Sequence, residues 1–149
     1  MKKIAIIWIG LLLVLTVGCS ERRPASVYLI PEGYEGWVLI DFDQAGAPEI
    51  PLEDGKGIFK IGSDGTLDTS TPEPARGKAE DEYYWVDGQG NRSAIEDITE
   101  VIQDPSIGTR SNGKDAEGHP LPGKKLVEQF FVGSLERMEH YPNPALAPS

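Results

Sequence analysis

Short runs of apolar and aromatic residues, separated by glycine and proline, recur along the chain after its first 25 residues. In the strongest run, residues 37–42, the even-numbered side chains are all apolar and the odd-numbered ones are mainly apolar, ending in Asp41. Side chains alternate between the two faces of a β-strand. The run therefore predicts a strand that is apolar on both faces and lies in the middle of a sheet.

Further runs of β-branched and aromatic residues predict strands at 27–30, 58–61, 66–69, 83–86 and 126–132. Residues 62–65 and 87–91 are rich in glycine, aspartate and asparagine, as is typical of tight hairpin turns. Together these patterns predict a β-meander. The fold class is mainly β, as a small antiparallel β-sandwich or barrel.

Two segments are harder to interpret. Ser93 and Glu96 have the spacing of a helix capping box before the apolar residues of 95–102, but the same β-branched residues also suit a strand, and we favour a strand at 98–102. Residues 104–125 are rich in glycine, proline and polar side chains, which predicts a long loop that is either mobile or part of a site. Ser134 is predicted to cap a short C-terminal helix.

The first 18 residues have the pattern of an export signal. Lys2 and Lys3 precede an apolar stretch that is too short to cross a bilayer comfortably, and Gly18 precedes Cys19. The sequence resembles a bacterial lipoprotein signal, although Thr16 stands where leucine is usual. This resemblance implies cleavage before Cys19 and attachment of lipid to its sulfur.

Cys19 is the single cysteine of the chain, so no disulfide can form within it. An unpaired cysteine in an exported protein calls for an explanation, and lipidation supplies one. Two or more acyl chains, such as diacylglycerol with an added palmitate, would hold the protein on a membrane. We therefore expect a lipid-anchored protein on the extracytoplasmic face of a bacterial cell membrane.

The predicted organisation is a signal peptide at 1–18, a lipidated tether at 19–25, a single β-rich domain at 26–141 and a disordered tail at 142–149. A single domain fits a chain of 149 residues.

The exported part is strongly acidic. Loss of Lys2 and Lys3 with the leader reduces the basic residues from 14 to 12, against 24 acidic ones. Such a charge excludes a nucleic-acid-binding role, because phosphate recognition needs basic side chains, and an anionic lipid surface is expected to repel the domain as a whole. Membrane attachment is therefore expected to depend on the anchor, with proteins or glycans as partners.

Four sequence blocks resemble a family of small bacterial lipoproteins of unknown function. They are residues 28–38 (Tyr-Leu-Ile-Pro-Glu-Gly-Tyr-Glu-Gly-Trp-Val), 62–70, 82–87 and 130–133. The resemblance implies a lipoprotein with a β-rich domain similar to transthyretin-like or carboxypeptidase-regulatory sandwiches. It implies no activity and no catalytic residues.

Asp41 and Asp43 are the candidate metal ligands, because two carboxylates at the end of one strand can share a calcium ion with Glu49 or Glu53. The spacing resembles an EF-hand loop, but Ala45 and Leu52 stand where oxygen ligands belong. Solvated acids at a strand end are the simpler interpretation, so no cofactor is expected. His119 and His140 lack the spacing of a zinc site.

Trp37, Tyr83 and Trp85 are the candidate ligand-binding residues. Alternation places Tyr83 and Trp85 on the same face of their strand, where an exposed pair would form a platform for a sugar ring or a protein partner. Packing in the core is the commoner role of aromatic residues in strands.

Three functional hypotheses follow. The favoured one is a noncatalytic domain that binds a protein or an envelope component, because no catalytic signature is recognisable. The second is an envelope-polymer hydrolase that uses Asp41 and Asp43. The third is an immunity-type inhibitor whose acidic surface blocks a basic protein.

Overall fold

The computed structural model describes residues 22–144; the predicted leader, Cys19 and residues 145–149 of the predicted tail lie outside them. In chain order the strands are β1 (Ser26–Pro31), β2 (Gly36–Asp41), β3 (Leu52–Glu53), β4 (Lys56–Lys60), β5 (Thr66–Asp68), β6 (Glu82–Val86), β7 (Arg92–Ala94), β8 (Ile102–Ser111) and β9 (Lys124–Val132). Two single-turn helices are α1 (Ile98–Val101) and α2 (Leu135–Met138).

The strands form two sheets, which confirms the mainly β, sandwich-like fold. The order in the five-stranded sheet is β3-β4-β1-β6-β7, and the order in the four-stranded sheet is β5-β2-β9-β8. Both sheets are mixed, in place of the antiparallel sheets that the turn pattern predicted. In particular, β1 runs parallel to β4 and β6, and β2 runs parallel to β5, whereas the remaining pairs are antiparallel.

The core lies between the sheets and is built by alternation. Tyr28 and Ile30 of β1 face Val38 and Ile40 of β2, and all four are buried in one cluster with Phe130. The Tyr28 ring stacks on the Tyr83 ring at 4.8 Å and meets the Phe130 ring edge-on at 5.4 Å. The predicted apolar face of β2 is therefore the face that packs against the second sheet.

The predicted meander does not form at residues 62–65. This segment makes a tight turn, in which the Gly65 N–H donates to the Gly62 carbonyl at 3.0 Å, but the turn passes from one sheet to the other. Strand β4 pairs with β1, whereas β5 pairs with β2. Leu67 of β5 thereby packs against the core beside Ile40, which a hairpin with β4 would prevent. The second predicted hairpin is confirmed, because β6 and β7 are antiparallel around residues 87–91.

The region after residue 97 differs from the prediction. A helical turn, α1, occupies residues predicted as strand, and Ser93 lies in β7, so no capping box forms. The predicted long loop is largely a hairpin, because β8 continues to Ser111 and β9 begins at Lys124. Most of this hairpin extends beyond the core. After Ile102 the residues of β8 are therefore mainly polar, with no regular alternation of apolar and polar positions.

The C-terminal helix is confirmed at α2. The Ser134 hydroxyl accepts a hydrogen bond from the Arg137 N–H at 3.3 Å, which is the predicted capping contact. Arg137 and Tyr141 both contact the Glu35 carboxylate, at the turn between β1 and β2. The segment after β9 therefore folds back against the outer face of the four-stranded sheet. In residues 22–144 no helix is long and apolar enough to cross a membrane.

Candidate functional site

The acidic pair proposed for a metal is separated in the structure. The side chain of Asp41 is almost completely buried on the outer face of the four-stranded sheet. Arg110 donates hydrogen bonds to both oxygens of the Asp41 carboxylate, and its Nε lies 3.0 Å from Oδ1. Lys125 Nζ lies 2.8 Å from Oδ2. Asp43 is exposed and stands apart from this cluster.

This arrangement does not suit calcium. Two cations already neutralise the Asp41 carboxylate, and the surplus positive charge would repel a third. Among the described residues, no group of three His, Asp or Glu side chains is placed to hold a metal ion. The same ion pairs leave Asp41 without a role as a hydrolase nucleophile or base, because its lone pairs already accept strong hydrogen bonds.

The aromatic residues proposed as a binding platform lie on different surfaces of the sandwich. Tyr83 and Trp85 point into the space between the sheets and pack against the core. Trp37 lies on the outer face of the four-stranded sheet and meets the Phe131 ring edge-on at 5.6 Å. Tyr141 packs on the other side of Phe131 at 5.1 Å, so the C-terminal segment covers much of this face. These three aromatics therefore do not form one shared surface.

A better candidate is the outer face of the five-stranded sheet, which points away from the core. Its floor is a second apolar cluster of Val27, Leu29 and Ile58, and each of these side chains is at most 6% exposed. Tyr84 and Val86 of β6 flank the floor and are partly exposed. We call this surface the outer groove.

Charged pairs line the rim of the outer groove. Arg92 of β7 donates to both oxygens of Glu53 in β3, at 3.0 and 3.2 Å, although β3 and β7 are opposite edges of the sheet. Lys56 of β4 pairs with Glu82 of β6, and the Tyr84 hydroxyl donates to Glu82 at 2.9 Å. The hydrogen bond with Lys56 is the main cause that lowers the pKa of Glu82, so this carboxyl remains ionised.

Two cavities of about 230 and 480 Å³ lie on this face, and both are lined by Glu53, Ile58 and Arg92. The Arg92–Glu53 pair thus borders both cavities and crosses above an apolar floor. The pair is exposed, so its net contribution to stability is small and a ligand can displace it at little cost. The groove can therefore admit an apolar group while the rim provides hydrogen-bonding charges.

Sequence reasoning missed the outer groove for an identifiable reason. Alternation places Tyr84 on the face opposite to Tyr83 and Trp85, and the larger aromatic pair favoured that other face as the binding surface. The signal that could have identified Tyr84 is its position between Glu82 and Val86 on one face, which is a polar and apolar mixture typical of a partly exposed surface. The Arg92–Glu53 contact spans 39 residues and has no local signal.

One further acid has unusual surroundings. Glu128 of β9 faces the space between the sheets, and the Tyr28 hydroxyl donates a hydrogen bond to its carboxylate. Burial raises the pKa of Glu128, and the nearby negative charge of Asp81 raises it further, while the Tyr28 hydrogen bond acts in the opposite direction. Glu128 thus ionises at higher pH than a solvated glutamate does.

Glu128→Gln is expected to change the pH dependence of stability. The wild-type free energy of unfolding falls as pH rises from the unfolded-state pKa, about 4.3, through the raised folded-state pKa, because the native state holds the proton more tightly. Glutamine still accepts from Tyr28 and carries no charge. Urea unfolding across this pH range is expected to show the variant gaining stability over the wild type, with exposed Glu49→Gln as the control. Parallel pH profiles for the wild type and Glu128→Gln would contradict the assignment.

Comparisons with known proteins place this geometry in context. The model of a family of unknown function, DUF6843, matches residues 22–125. A crystal structure of a candidate lipoprotein from Bacillus anthracis is similar, with a TM-score of 0.64, 26% sequence identity and coverage of 85% of each chain. No curated protein matches the chain significantly. The activity therefore has to be argued from the residues.

Proposed function

Because the chain belongs to DUF6843, a family of unknown function, we propose its role from its own residues: a noncatalytic binding domain, anchored by lipid at Cys19 on the extracytoplasmic face of a bacterial membrane. The outer groove is the surface that binds a protein or glycan of the cell envelope.

The anchor is supported by three observations. A positive and then apolar leader precedes Gly18 and Cys19, which is the pattern of a processed export signal. The similar structure from Bacillus anthracis is that of a candidate lipoprotein. The first strand begins at Ser26, seven positions after Cys19, so a lipid on the cysteine would hold the domain close to the membrane.

The single observation that carries the binding role is the architecture of the outer groove. Apolar residues on the outside of a sheet are usually covered by another element, yet Val27, Leu29 and Ile58 are shielded mainly by side chains and ion pairs of the rim. A charged rim above an apolar floor suits reversible binding. The hydrolase hypothesis has weaker support, since Asp41 is held by Arg110 and Lys125.

Replacement of the anchoring cysteine tests the location. In a bacterium fed a labelled fatty acid, the wild-type protein is expected to take up label and to float with membranes. Cys19→Ser is expected to remove the label completely, because no other thiol is available in the chain. The neighbouring Ser20→Ala serves as a matched control and is expected to retain both properties. An unlabelled wild-type protein in the soluble fraction would contradict the proposal.

Replacement of groove residues tests the binding surface. Envelope partners crosslinked to the lipidated protein are expected to be lost with Tyr84→Ala or Arg92→Ala. They are expected to be retained with Arg137→Ala, which removes an exposed ion pair between α2 and Glu35, outside the five-stranded sheet. A different outcome would favour the competing inhibitor hypothesis, in which acidic residues bind a basic protein. In that case the groove variants would capture as much partner as the wild type, and added salt would greatly reduce capture.

A further inference from the structure

Basic side chains gather where the described chain begins. Arg22 pairs with Lys78 in an isolated parallel bridge, and the Arg23 N–H donates to the Lys78 carbonyl at 3.2 Å. A cavity of about 630 Å³ lies beside this contact, lined by Arg22, Arg23, Ala25, Lys78, Ala79 and Glu80. The backbone contact therefore fixes two basic residues from distant parts of the sequence at one concave surface.

Some of the basic side chains at this surface form no ion pair with the described residues. Arg23 is held by Asp81 through hydrogen bonds of 2.8 and 2.6 Å, which makes it part of the scaffold. Arg22 and Lys78 are exposed, as is Arg76 two residues before Lys78, and within residues 22–144 none of these three forms an ion pair. Glu80 is the one acid in the cavity lining.

The surface is close to the proposed anchor. Arg22 lies three positions after Cys19, and an extended chain spans at most about 3.6 Å per residue, so the two α-carbons lie within about 11 Å of each other. This reach is comparable to the screening length of about 10 Å at 0.1 M salt. Lipid headgroups at an anchored Cys19 would therefore feel the charge of Arg22 and its neighbours.

Acidic residues lie in the turns at the opposite end of the five-stranded sheet. The turns after β1, β4 and β6 lie at the far end, because these three strands are parallel, and they carry Glu32, Asp64 and Asp87. The β8–β9 hairpin extends beyond β2 at the end where β1 begins, and it carries Lys114 and Lys124 as well as Asp115 and Glu117. Net charge predicts repulsion of the whole domain from anionic lipid, so an attraction has to come from the local basic surface at Arg22 and Lys78.

We propose that Arg22 and Lys78 form a site for the phosphates of anionic lipid headgroups, which orients the anchored domain on the membrane. This site rests on the proposed lipidation of Cys19, since the anchor brings the headgroups within reach. The sheet ends that carry Glu32 and Asp87 then point away from the membrane. The strands that form the outer groove extend away from the membrane surface.

The test uses the lipidated full-length product, purified from membranes and reconstituted into vesicles of phosphatidylcholine alone or mixed with phosphatidylglycerol. Hydrogen–deuterium exchange is measured in peptides that contain residues 22–26 and 76–80. On the mixed vesicles we expect exchange to slow by about fivefold for each engaged charge. Arg22→Ser/Lys78→Ser is expected to abolish the difference between vesicles. Lys60→Ser removes one exposed positive charge from β4 and is expected to preserve it.

The outcomes separate the site from the anchor. Wild-type protein that floats with vesicles but exchanges equally on both lipids would overturn the headgroup site and leave the anchor intact. Protein that does not float would overturn the proposed anchor and the site with it. If inorganic phosphate protects the same peptides on phosphatidylcholine vesicles, the ligand is free phosphate and the lipid assignment fails. Circular dichroism of the double variant checks that both sheets are retained.

Discussion

Gly65→Ala is expected to lower the free energy of unfolding by about 3 kcal/mol. The backbone of Gly65 has a φ of +81°, a left-handed conformation that costs an alanine about 1 kcal/mol. A methyl group there would overlap the Tyr34 hydroxyl and lie 2.7 Å from the Trp37 carbonyl oxygen. The Tyr34 hydroxyl donates to this same carbonyl at 2.6 Å, so relief of the overlap breaks a buried hydrogen bond.

Gly33→Ala is the matched control for this prediction. Gly33 has a similar φ of +77°, but no heavy atom lies within 4 Å of the position its methyl group would take. It is therefore expected to show the conformational cost alone, about 1 kcal/mol. Urea unfolding followed by tryptophan fluorescence measures both variants. Equal losses would show that the contact of the turn with β2 does not constrain the fold.

Asp41→Asn is also expected to destabilise the protein by about 3 kcal/mol, the lower end of the range for a broken buried ion pair, because Arg110 is partly exposed. The asparagine keeps the shape of the side chain but leaves Arg110 and Lys125 facing each other without a counter-charge. The loss arises from these two cations as well as from the missing hydrogen bonds.

Two further variants identify this cause. Asp43→Asn, an exposed change on the same loop, is expected to shift the free energy of unfolding by no more than about 0.5 kcal/mol. Lys125→Met in the Asp41→Asn background is expected to recover part of the loss, because it removes one uncompensated charge. If Asp41 were instead a calcium ligand, added calcium would stabilise the wild type and not Asp41→Asn.

These predictions link the stability of the fold to its proposed function. Asp41, Arg110 and Lys125 lie where the β8–β9 hairpin leaves the body of the domain, so their ion pairs fix the direction of that hairpin. The hairpin extends from the end of the sandwich at which β1 begins. These contacts favour a structural role for Asp41 over the catalytic or metal-binding role suggested by its acidic neighbour.

Part of the candidate sites could be predicted from local sequence, and part could not. The predicted leader and the proposed anchor at Cys19 rest on a local sequence pattern, because a lipoprotein signal is a continuous segment of the chain. The outer groove has none, since Glu53, Tyr84 and Arg92 come from three different strands of one sheet. The basic surface depends on a backbone bridge between Arg22 and Lys78, which lie 56 positions apart in the sequence.

The sequence by itself determined the mainly β class, the buried face of β2, the hairpin at residues 87–91 and the cap at Ser134. Each of these follows from alternation, turn chemistry or a contact within four residues. The interactions that decide them are therefore all local in the sequence. Only the tertiary structure decided that β4 and β5 belong to different sheets, that β8 is a strand, and that Asp41 is neutralised. Those outcomes depend on partners distant in sequence, because strand pairing and charge compensation are chosen by which surfaces meet in the folded chain.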